Sequence, residues 1–109
     1  MRVLVGWDDP LEAELLNVYL TVDEGEVRIC QDGAEALEAA QNHTWDAVLL
    51  ASSFPDPEHG FELFQQLREI LPDVPFIGAV PVTDVFRIAK FLTNGLRGYL
   101  IRDAAGDFM

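Results

Sequence analysis

Residues 47–51 form an unbroken apolar run, Ala-Val-Leu-Leu-Ala, with no polar residue to mark a solvent side. A strand with one face in water would alternate apolar and polar residues. A continuous run of this length is typical of a strand covered on both faces, as in a parallel sheet. The run therefore predicts a central strand over Ala47–Ala51, with helices packed on both sides of the sheet.

Further short apolar runs alternate with stretches of helical spacing along the chain. The predicted strands are Val3–Gly6, Val27–Cys30, Phe76–Val80 and Gly98–Ile101, and helices are predicted from Pro10, after Asp32, over Phe61–Leu71 and over Thr83–Thr93. This alternation indicates an α/β fold, a doubly wound parallel sheet of five strands in a three-layer sandwich. Residues 103–109 are predicted to begin a last helix that is truncated. We expect one domain over residues 1–109, at the N-terminal part of a longer chain.

Local signals fix several helix ends and faces. Asp32 and Glu35 have the spacing of a capping box for a helix that runs to about Asn42. Thr83 is a candidate cap of the fourth helix, and Gly95 is a natural residue to follow that helix. Apolar stripes at helical spacing are predicted for Leu11, Leu15, Val18 and Tyr19, for Leu63, Leu67 and Ile70, and for Val85, Ile88, Ala89 and Leu92.

The chain is strongly acidic, with a formal charge of -12, and half of its residues are hydrophobic. The acids are concentrated in residues 1–62, where the only bases are Arg2 and Arg28. This charge argues against direct binding of nucleic acid or of an anionic membrane surface, both of which need a basic face. The single cysteine, Cys30, cannot form an internal disulfide, so a reducing cytoplasmic compartment is expected. We see neither a secretory signal nor a membrane-spanning segment.

Functional groups of a parallel α/β sheet gather at the carboxyl ends of its strands. In this chain those ends are residues 7–9, 51–53, 80–83 and 102–103. These are the positions at which a catalytic or binding crevice is expected.

The same segments carry a family resemblance. Arg2-Val-Leu-Val leads into acids and Pro10, Gln31-Asp-Gly-Ala-Glu-Ala-Leu opens a helix, and Asp46-Ala-Val-Leu-Leu precedes Pro55 and Gly60-Phe-Glu-Leu. Pro75-Phe-Ile and Gly95-Leu-Arg-Gly-Tyr-Leu-Ile follow in the same order. Together these segments resemble the receiver domain of two-component response regulators, a CheY-like fold of the flavodoxin-like type, over essentially the whole chain.

The resemblance implies a phosphorylation site that this sequence has largely lost. Receivers use two acids after strand one and an aspartate after strand three to bind Mg²⁺ and accept the phosphoryl group. They also use a hydroxyl after strand four and a lysine after strand five. These positions fall on Trp7 and Asp8, then Ala51, Val80 and Arg102, whereas the aromatic switch position is kept as Tyr99. Alanine has no nucleophile, so no aspartyl phosphate can form at Ala51.

The resemblance therefore implies a degenerate, phosphorylation-independent pseudo-receiver, which is a signalling module and not an enzyme. We expect no cofactor and no ordinary metal site, with Asp8 and Asp9 as the remaining acids. We interpret Trp7 as a buried plug of the vacated pocket, against the alternatives of an exposed loop aromatic or an interface residue. Arg102 either pairs with Asp8 or Asp9 or points to solvent. Tyr99 is expected to be a static strand residue, against the alternative that it still rotates as a switch.

Two alternatives give this site a function of its own, either phosphorylation at another residue or binding of a small ligand. Asp56, Ser52 or Ser53 would serve as an unusual phosphoacceptor, although Asp56 lies between two prolines and the serines show no activating base in the sequence. Otherwise the altered crevice would sense a small ligand, which predicts a cavity near Trp7 and Ala51.

The near-neutral second half of the chain is the expected place for a partner. Phe86, Arg87, Lys90 and Phe91 on the fourth helix form a candidate interface for a protein partner or an attached output domain. A homodimer through the face of helix four and strand five is a further expectation. His43 and His59 are interpreted as isolated, solvated residues, and Cys30 as a buried strand residue.

Overall fold

The computed structural model describes residues 1–20, 25–81 and 85–102. The elements follow in the order β1 (Arg2–Gly6), α1 (Pro10–Leu20), β2 (Glu26–Cys30), α2 (Gly33–Asn42), β3 (Ala47–Ala51), α3 (Gly60–Ile70), β4 (Phe76–Pro81), α4 (Val85–Thr93) and β5 (Gly98–Arg102). All strand pairs are parallel, in the order β2-β1-β3-β4-β5. The reversal of strand order at β1 and β3, with right-handed crossovers, places helices on both faces. The predicted doubly wound α/β fold is confirmed.

The central strand is β3, which pairs with β1 on one side and β4 on the other. All five of its residues are buried, which confirms the strand that the apolar run Ala47–Ala51 predicts. Each of the other four strands is one residue longer than predicted, at its start in β1 and β2 and at its end in β4 and β5. The predicted cap Thr83 and the predicted helix over residues 103–109 lie outside the described residues.

Two predicted helix ends have the expected hydrogen bonds. The Asp32 carboxylate accepts from the backbone N–H of Glu35 at 2.8 Å, and the Glu35 carboxylate accepts from Gln31 N–H at 3.2 Å. After α4, Gly95 adopts a φ of 110°. The N–H of Leu96 then reaches the Phe91 carbonyl at 3.1 Å, as in a Schellman motif.

The predicted face of α1 is wrong. Leu11 and Tyr19 are each 73% exposed, and Leu15 and Val18 are exposed as well. The side chains that α1 buries are those of Ala13 and Leu16. Helical spacing identifies an apolar stripe, but small residues such as alanine let a helix lie close to a sheet, and here that face is the inner one.

The predicted face of α4 is wrong for three of its four residues. Val85, Ala89 and Leu92 are exposed and Ile88 is half-buried, whereas Phe91 is 1% exposed. The Phe91 ring lies 4.8 Å from that of Phe64, measured between centroids. Phe86 on the same helix is 90% exposed, so the contact of the Phe91 ring with α3, and not aromatic character alone, determines which face packs inward. Phe91 is therefore a core residue, which corrects its assignment to the interface.

The inner face of α3 is as predicted. Leu63 and Leu67 are buried and Ile70 is partly buried against the core. In the described ranges, none of the helices is long and apolar enough to cross a membrane.

Candidate functional site

The carboxyl ends of β1, β3, β4 and β5 meet at one edge of the sheet. Gly6 pairs with Leu50, Ala51 with Ala79, and Pro81 with Arg102. The strand-end positions that the sequence predicts to form a crevice are thus brought side by side. The Arg102 side chain lies outside what the structure describes, so its pairing with an acid stays a prediction.

The centre of this edge is apolar. Ala51 is the last residue of β3 and is 0% exposed. The next residue, Ser52, donates its backbone N–H to the Ala79 carbonyl at 2.8 Å. Val80 on β4 is also fully buried. A methyl group and an isopropyl group supply neither a nucleophile nor a hydrogen bond, so these two positions contribute packing alone.

The two acids after β1 have structural partners. The Asp8 carboxylate accepts a hydrogen bond from the hydroxyl of Ser53 in the β3–α3 loop. The Asp9 carboxylate caps α1, because its Oδ1 accepts from the backbone N–H of Leu11 at 2.9 Å and of Glu12 at 3.4 Å. The Asp9 cap had a sequence signal, since aspartate before Pro10 is a usual start of a helix.

These residues do not fit the divalent cation that the resemblance implies. Mg²⁺ requires several hard oxygen ligands in octahedral geometry. The Ala51 side chain offers no oxygen, and Asp9 is used by the helix. Across residues 1–20, 25–81 and 85–102, no group of three His, Cys, Asp or Glu side chains is placed to hold a metal ion.

Trp7 is buried, with 3% of its surface exposed. Its indole N–H donates to Glu12 Oε1 on α1 at 3.2 Å. The alternative of an exposed loop aromatic is therefore wrong, and the burial that a plug requires is present. The bond to Glu12 places the N–H edge of the ring toward α1.

Arg87 connects α4 to the β3–α3 loop. Its Nη1 donates to the Ser52 carbonyl and its Nη2 to the Pro57 carbonyl, each at 3.0 Å. Arg87 is predicted to belong to a partner interface, but its guanidinium also binds within the chain. No local pattern could have predicted these bonds, because Arg87 and Ser52 are 35 residues apart.

The start of α3 packs tightly on the same loop. A Cβ added to Gly60 would lie 2.0 Å from the Ser52 carbonyl oxygen. Only glycine permits this approach. The Ser52 hydroxyl is buried and has no hydrogen-bond partner within the described part of the chain.

Asp56 forms a local pair with His59, which is therefore not isolated as predicted. His59 Nδ1 lies 2.8 Å from Asp56 Oδ1, and the same oxygen accepts from the backbone N–H groups of Glu58 and His59. The hydrogen bond between the two side chains lowers the pKa of Asp56 and raises the pKa of His59. Their spacing of three residues was the available sequence signal.

Two candidate surface residues are exposed. Phe86 on α4 is 90% exposed and Tyr99 on β5 is 43% exposed. Lys90 is also exposed, and its Nζ lies 4.1 Å from the centroid of the Phe61 ring. These residues form the outer surface of α4 and β5.

A cavity of about 470 Å³ lies beside Trp7, between α1 and β2. Ile29 and Cys30 contribute to its wall. The prediction of a cavity near Trp7 is confirmed for that residue. Ala51 is not among the described residues that line it, so the cavity lies to one side of the end of β3.

Comparison with known proteins agrees with this architecture. Residues 3–107 match the family described as "Response regulator receiver domain". The chain is 36% identical to the response regulator MprA of Mycobacterium sp. (strain KMS) over 100 residues, which cover 92% of this chain and 43% of that protein. It is 30% identical to the DNA-binding response regulator MtrA of Mycolicibacterium smegmatis over 101 residues, with 93% and 43% covered.

The structure is similar to the crystal structure of the receiver domain of the TMAO respiratory system response regulator TorR. The TM-score is 0.81 at 28% sequence identity, and the alignment covers 92% of this chain and 82% of that one. The chain spans less than half the length of the curated relatives described above. From the family match and the identity to MprA, the chain belongs to the response regulator receiver domain family.

Proposed function

We propose that this receiver domain is a pseudo-receiver, which regulates a protein partner or an attached output domain without being phosphorylated and without enzymatic activity. The observation that carries the proposal is the buried methyl group of Ala51 at the end of β3. Phosphoryl transfer to a protein needs a nucleophilic oxygen, nitrogen or sulfur atom at the acceptor position, and a methyl group has none.

The contacts around Ala51 support this proposal. Asp8 is hydrogen-bonded to Ser53, and Asp9 caps α1. Val80 stands where receivers carry the hydroxyl that senses the phosphoryl group, and it is buried in the core. A signal that depends on a metal-bound phosphoryl group therefore has neither its acceptor nor its sensor.

The β3–α3 loop is held by bonds of the chain itself. Ser53 ties it to the end of β1, and Arg87 ties it to α4 through the carbonyls of Ser52 and Pro57. These bonds support a conformation that is fixed without phosphate. In the absence of a bound ligand, the domain would then present one state of α4 to its partner.

The surface proposed for that partner consists of Val85, Phe86 and Leu92 on α4 with Tyr99 on β5, all of them exposed. We call this set the α4–β5 patch. Exposed apolar side chains that gather into a patch commonly mark protein contacts, and we expect these four to do so. If the patch mediates a homodimer, Phe86→Ser should give a monomer in light scattering, whereas Tyr19→Ser on the exposed face of α1 should leave the mass unchanged.

Phosphodonor mimics test the proposal directly. The ¹⁵N-labelled domain is recorded before and after addition of beryllofluoride or acetyl phosphate with Mg²⁺. A receiver domain with an aspartate at the end of its third strand serves as the positive control. We expect large shifts in the control and none at residues 7–9, 51–53 and 80–81 of this chain. Shifts centred on those residues would contradict the proposal.

One specific contact favours a second candidate function, in which Ser53 accepts the phosphoryl group. Its hydroxyl donates to the Asp8 carboxylate, so Asp8 is placed as a general base that the sequence did not reveal. Ser53 Oγ would attack the phosphorus of a phosphodonor, the proton would pass to Asp8, and the donor group would leave with its bonding electron pair. Ser52 and Asp56 are less suited, because the former is buried and the latter is paired with His59.

Mass spectrometry separates the two candidates. The domain is incubated with acetyl phosphate or a partner kinase and its intact mass is measured. A gain of one phosphoryl group that Ser53→Ala and Asp8→Asn both remove, and Asp56→Asn does not, would establish the second candidate. An unchanged mass supports the pseudo-receiver.

A further inference from the structure

The cavity between α1 and β2 has the dimensions of a small-molecule site. Its volume of about 470 Å³ falls within the roughly 300–1,000 Å³ that such sites occupy. Its described lining residues come from α1, β2 and the residues just after β1 and β2. It does not include Ala51 at the end of β3, but it shares Trp7 and Asp8 with the positions at which receivers carry their two acids.

The inner wall of the cavity is apolar and includes an aromatic ring. Trp7, Ile29 and Cys30 line it. Burial raises the pKa of the Cys30 thiol to about 12, so this wall carries no charge at neutral pH. The face of an indole ring attracts cations, and apolar walls accept alkyl groups.

The rim of the cavity is negative and polar. Asp8 and Glu14 supply carboxylates, and Asn17 and Gln31 supply amides. None of the described residues that line the cavity is basic. The acidic first half of the chain adds to the negative potential here, which attracts cations and repels anions.

We propose that this cavity binds a small organic cation of the alkylammonium class. The ammonium group would lie between Asp8 and Glu14, with its alkyl groups against Trp7 and Ile29. The carboxylates of Asp8 and Glu14 would repel an anion. A purely apolar ligand would contact the wall but form no ion pair with these carboxylates, so an organic cation fits both parts of the cavity.

The site is connected by hydrogen bonds to α1 and to the β3–α3 loop. Trp7 is hydrogen-bonded to Glu12 on α1, and Asp8 to Ser53 on the β3–α3 loop. A cation at Asp8 would compete with the Ser53 hydroxyl for the carboxylate. A role as an input signal in place of phosphate rests on the proposed function, whereas binding itself does not.

Choline chloride is a suitable probe, with its neutral carbon isostere dimethylbutanol as the matched control. Each is titrated into ¹⁵N-labelled protein, and the two indole N–H signals are followed. They are assigned with Trp45→Phe. Trp45 lies at the opposite end of the sheet, where the Arg2 guanidinium carbon is 5.9 Å from its ring centroid, so it reports non-specific effects. We expect saturable shifts of the Trp7 signal with choline, an unmoved Trp45 signal, and little response to dimethylbutanol.

Charge variants locate the site. Glu14→Gln should weaken choline binding about three- to fivefold, as expected for loss of one partly exposed ion pair. Glu14→Lys should abolish binding. Glu38→Gln, an equal charge change on the exposed side of α2, should alter the dissociation constant less than about twofold, because salt screens distant charges.

Three results would overturn the proposal. They are an unmoved Trp7 signal at saturating choline, equal responses to choline and dimethylbutanol, and equal weakening by Glu14→Gln and Glu38→Gln. The phosphodonor titration has a different readout, so the failure of one proposal can be told from that of the other.

Discussion

The hydroxyl of Ser53 donates a hydrogen bond to the carboxylate of Asp8 and so joins the β3–α3 loop to the end of β1. Hydrogen bonds to charged groups stabilise more than neutral ones do, although exposure to solvent reduces the difference. We expect Ser53→Ala to lower the free energy of unfolding by about 1 kcal/mol, measured by urea denaturation. Ser53→Thr keeps the hydroxyl and should cost less. Equal losses in the two variants would mean that the bond contributes nothing.

Restoring a carboxylate at the end of β3 should not restore phosphorylation. Ala51→Asp places a charge at a fully buried position, and we expect a loss of more than about 2 kcal/mol in stability near neutral pH. Ala51→Asn has nearly the same shape without the charge. The stability difference between the two variants should therefore narrow as the pH is lowered and the carboxylate protonates. Robust phosphorylation of Ala51→Asp by acetyl phosphate would show that the rest of the site is intact.

Gly60 has no room for a side chain. A Cβ there would lie 2.0 Å from the Ser52 carbonyl oxygen, which belongs to the backbone and cannot rotate away. We expect Gly60→Ala to destabilise the domain by about 2–3 kcal/mol and to perturb the amide signals of the β3–α3 loop. Gly98→Ala is the matched control, because a Cβ at Gly98 meets nothing within 4 Å. Similar melting temperatures for the two variants would contradict this explanation.

The pair of Asp56 and His59 should have a measurable pH dependence. The pKa of His59 is raised above 6.5 and that of Asp56 is lowered below 3.8, each chiefly by their mutual hydrogen bond. The stability that protonated His59 contributes is fully present below pH 6.5. It is lost as the pH rises through the raised pKa of His59 in the folded state. The stability that ionised Asp56 contributes is fully present above pH 3.8. It is lost as the pH falls through the lowered pKa of Asp56 in the folded state.

Nuclear magnetic resonance titration of the His59 ring measures the first of these shifts. We expect a midpoint above 6.5 in the wild type, which Asp56→Asn should bring back toward that value. The asparagine oxygen can still accept the backbone N–H bonds of the turn, so this variant removes the charge without opening the loop. A wild-type midpoint at or below 6.5 would disprove the pairing in solution.

Features encoded by neighbouring residues were predictable from the sequence. The strand Ala47–Ala51 follows from five apolar residues in a row, and the Asp32 cap from a contact that spans three residues. The family follows from motifs at the strand ends, and the loss of its phosphorylation site is a prediction from the same motifs.

Features that depend on packing between distant segments were not predictable. The inner face of α4 is set by Phe91, whose ring meets Phe61 and Phe64 of α3. Helical spacing contains no information about those rings. The bond between Ser53 and Asp8 spans 45 residues, so the sequence could not show that Ser53 has a base beside it.

The acceptors of the Arg87 hydrogen bonds are the main-chain carbonyls of Ser52 and Pro57. Every amino acid has such a carbonyl, whatever its side chain. The loop can therefore change its side chains from one relative to another and keep both acceptors. Only the residue at position 87 must stay a forked, charged donor. Relatives that share this tether would be recognised by an arginine on α4, while the loop between β3 and α3 remains free to diverge and acquire new binding specificity.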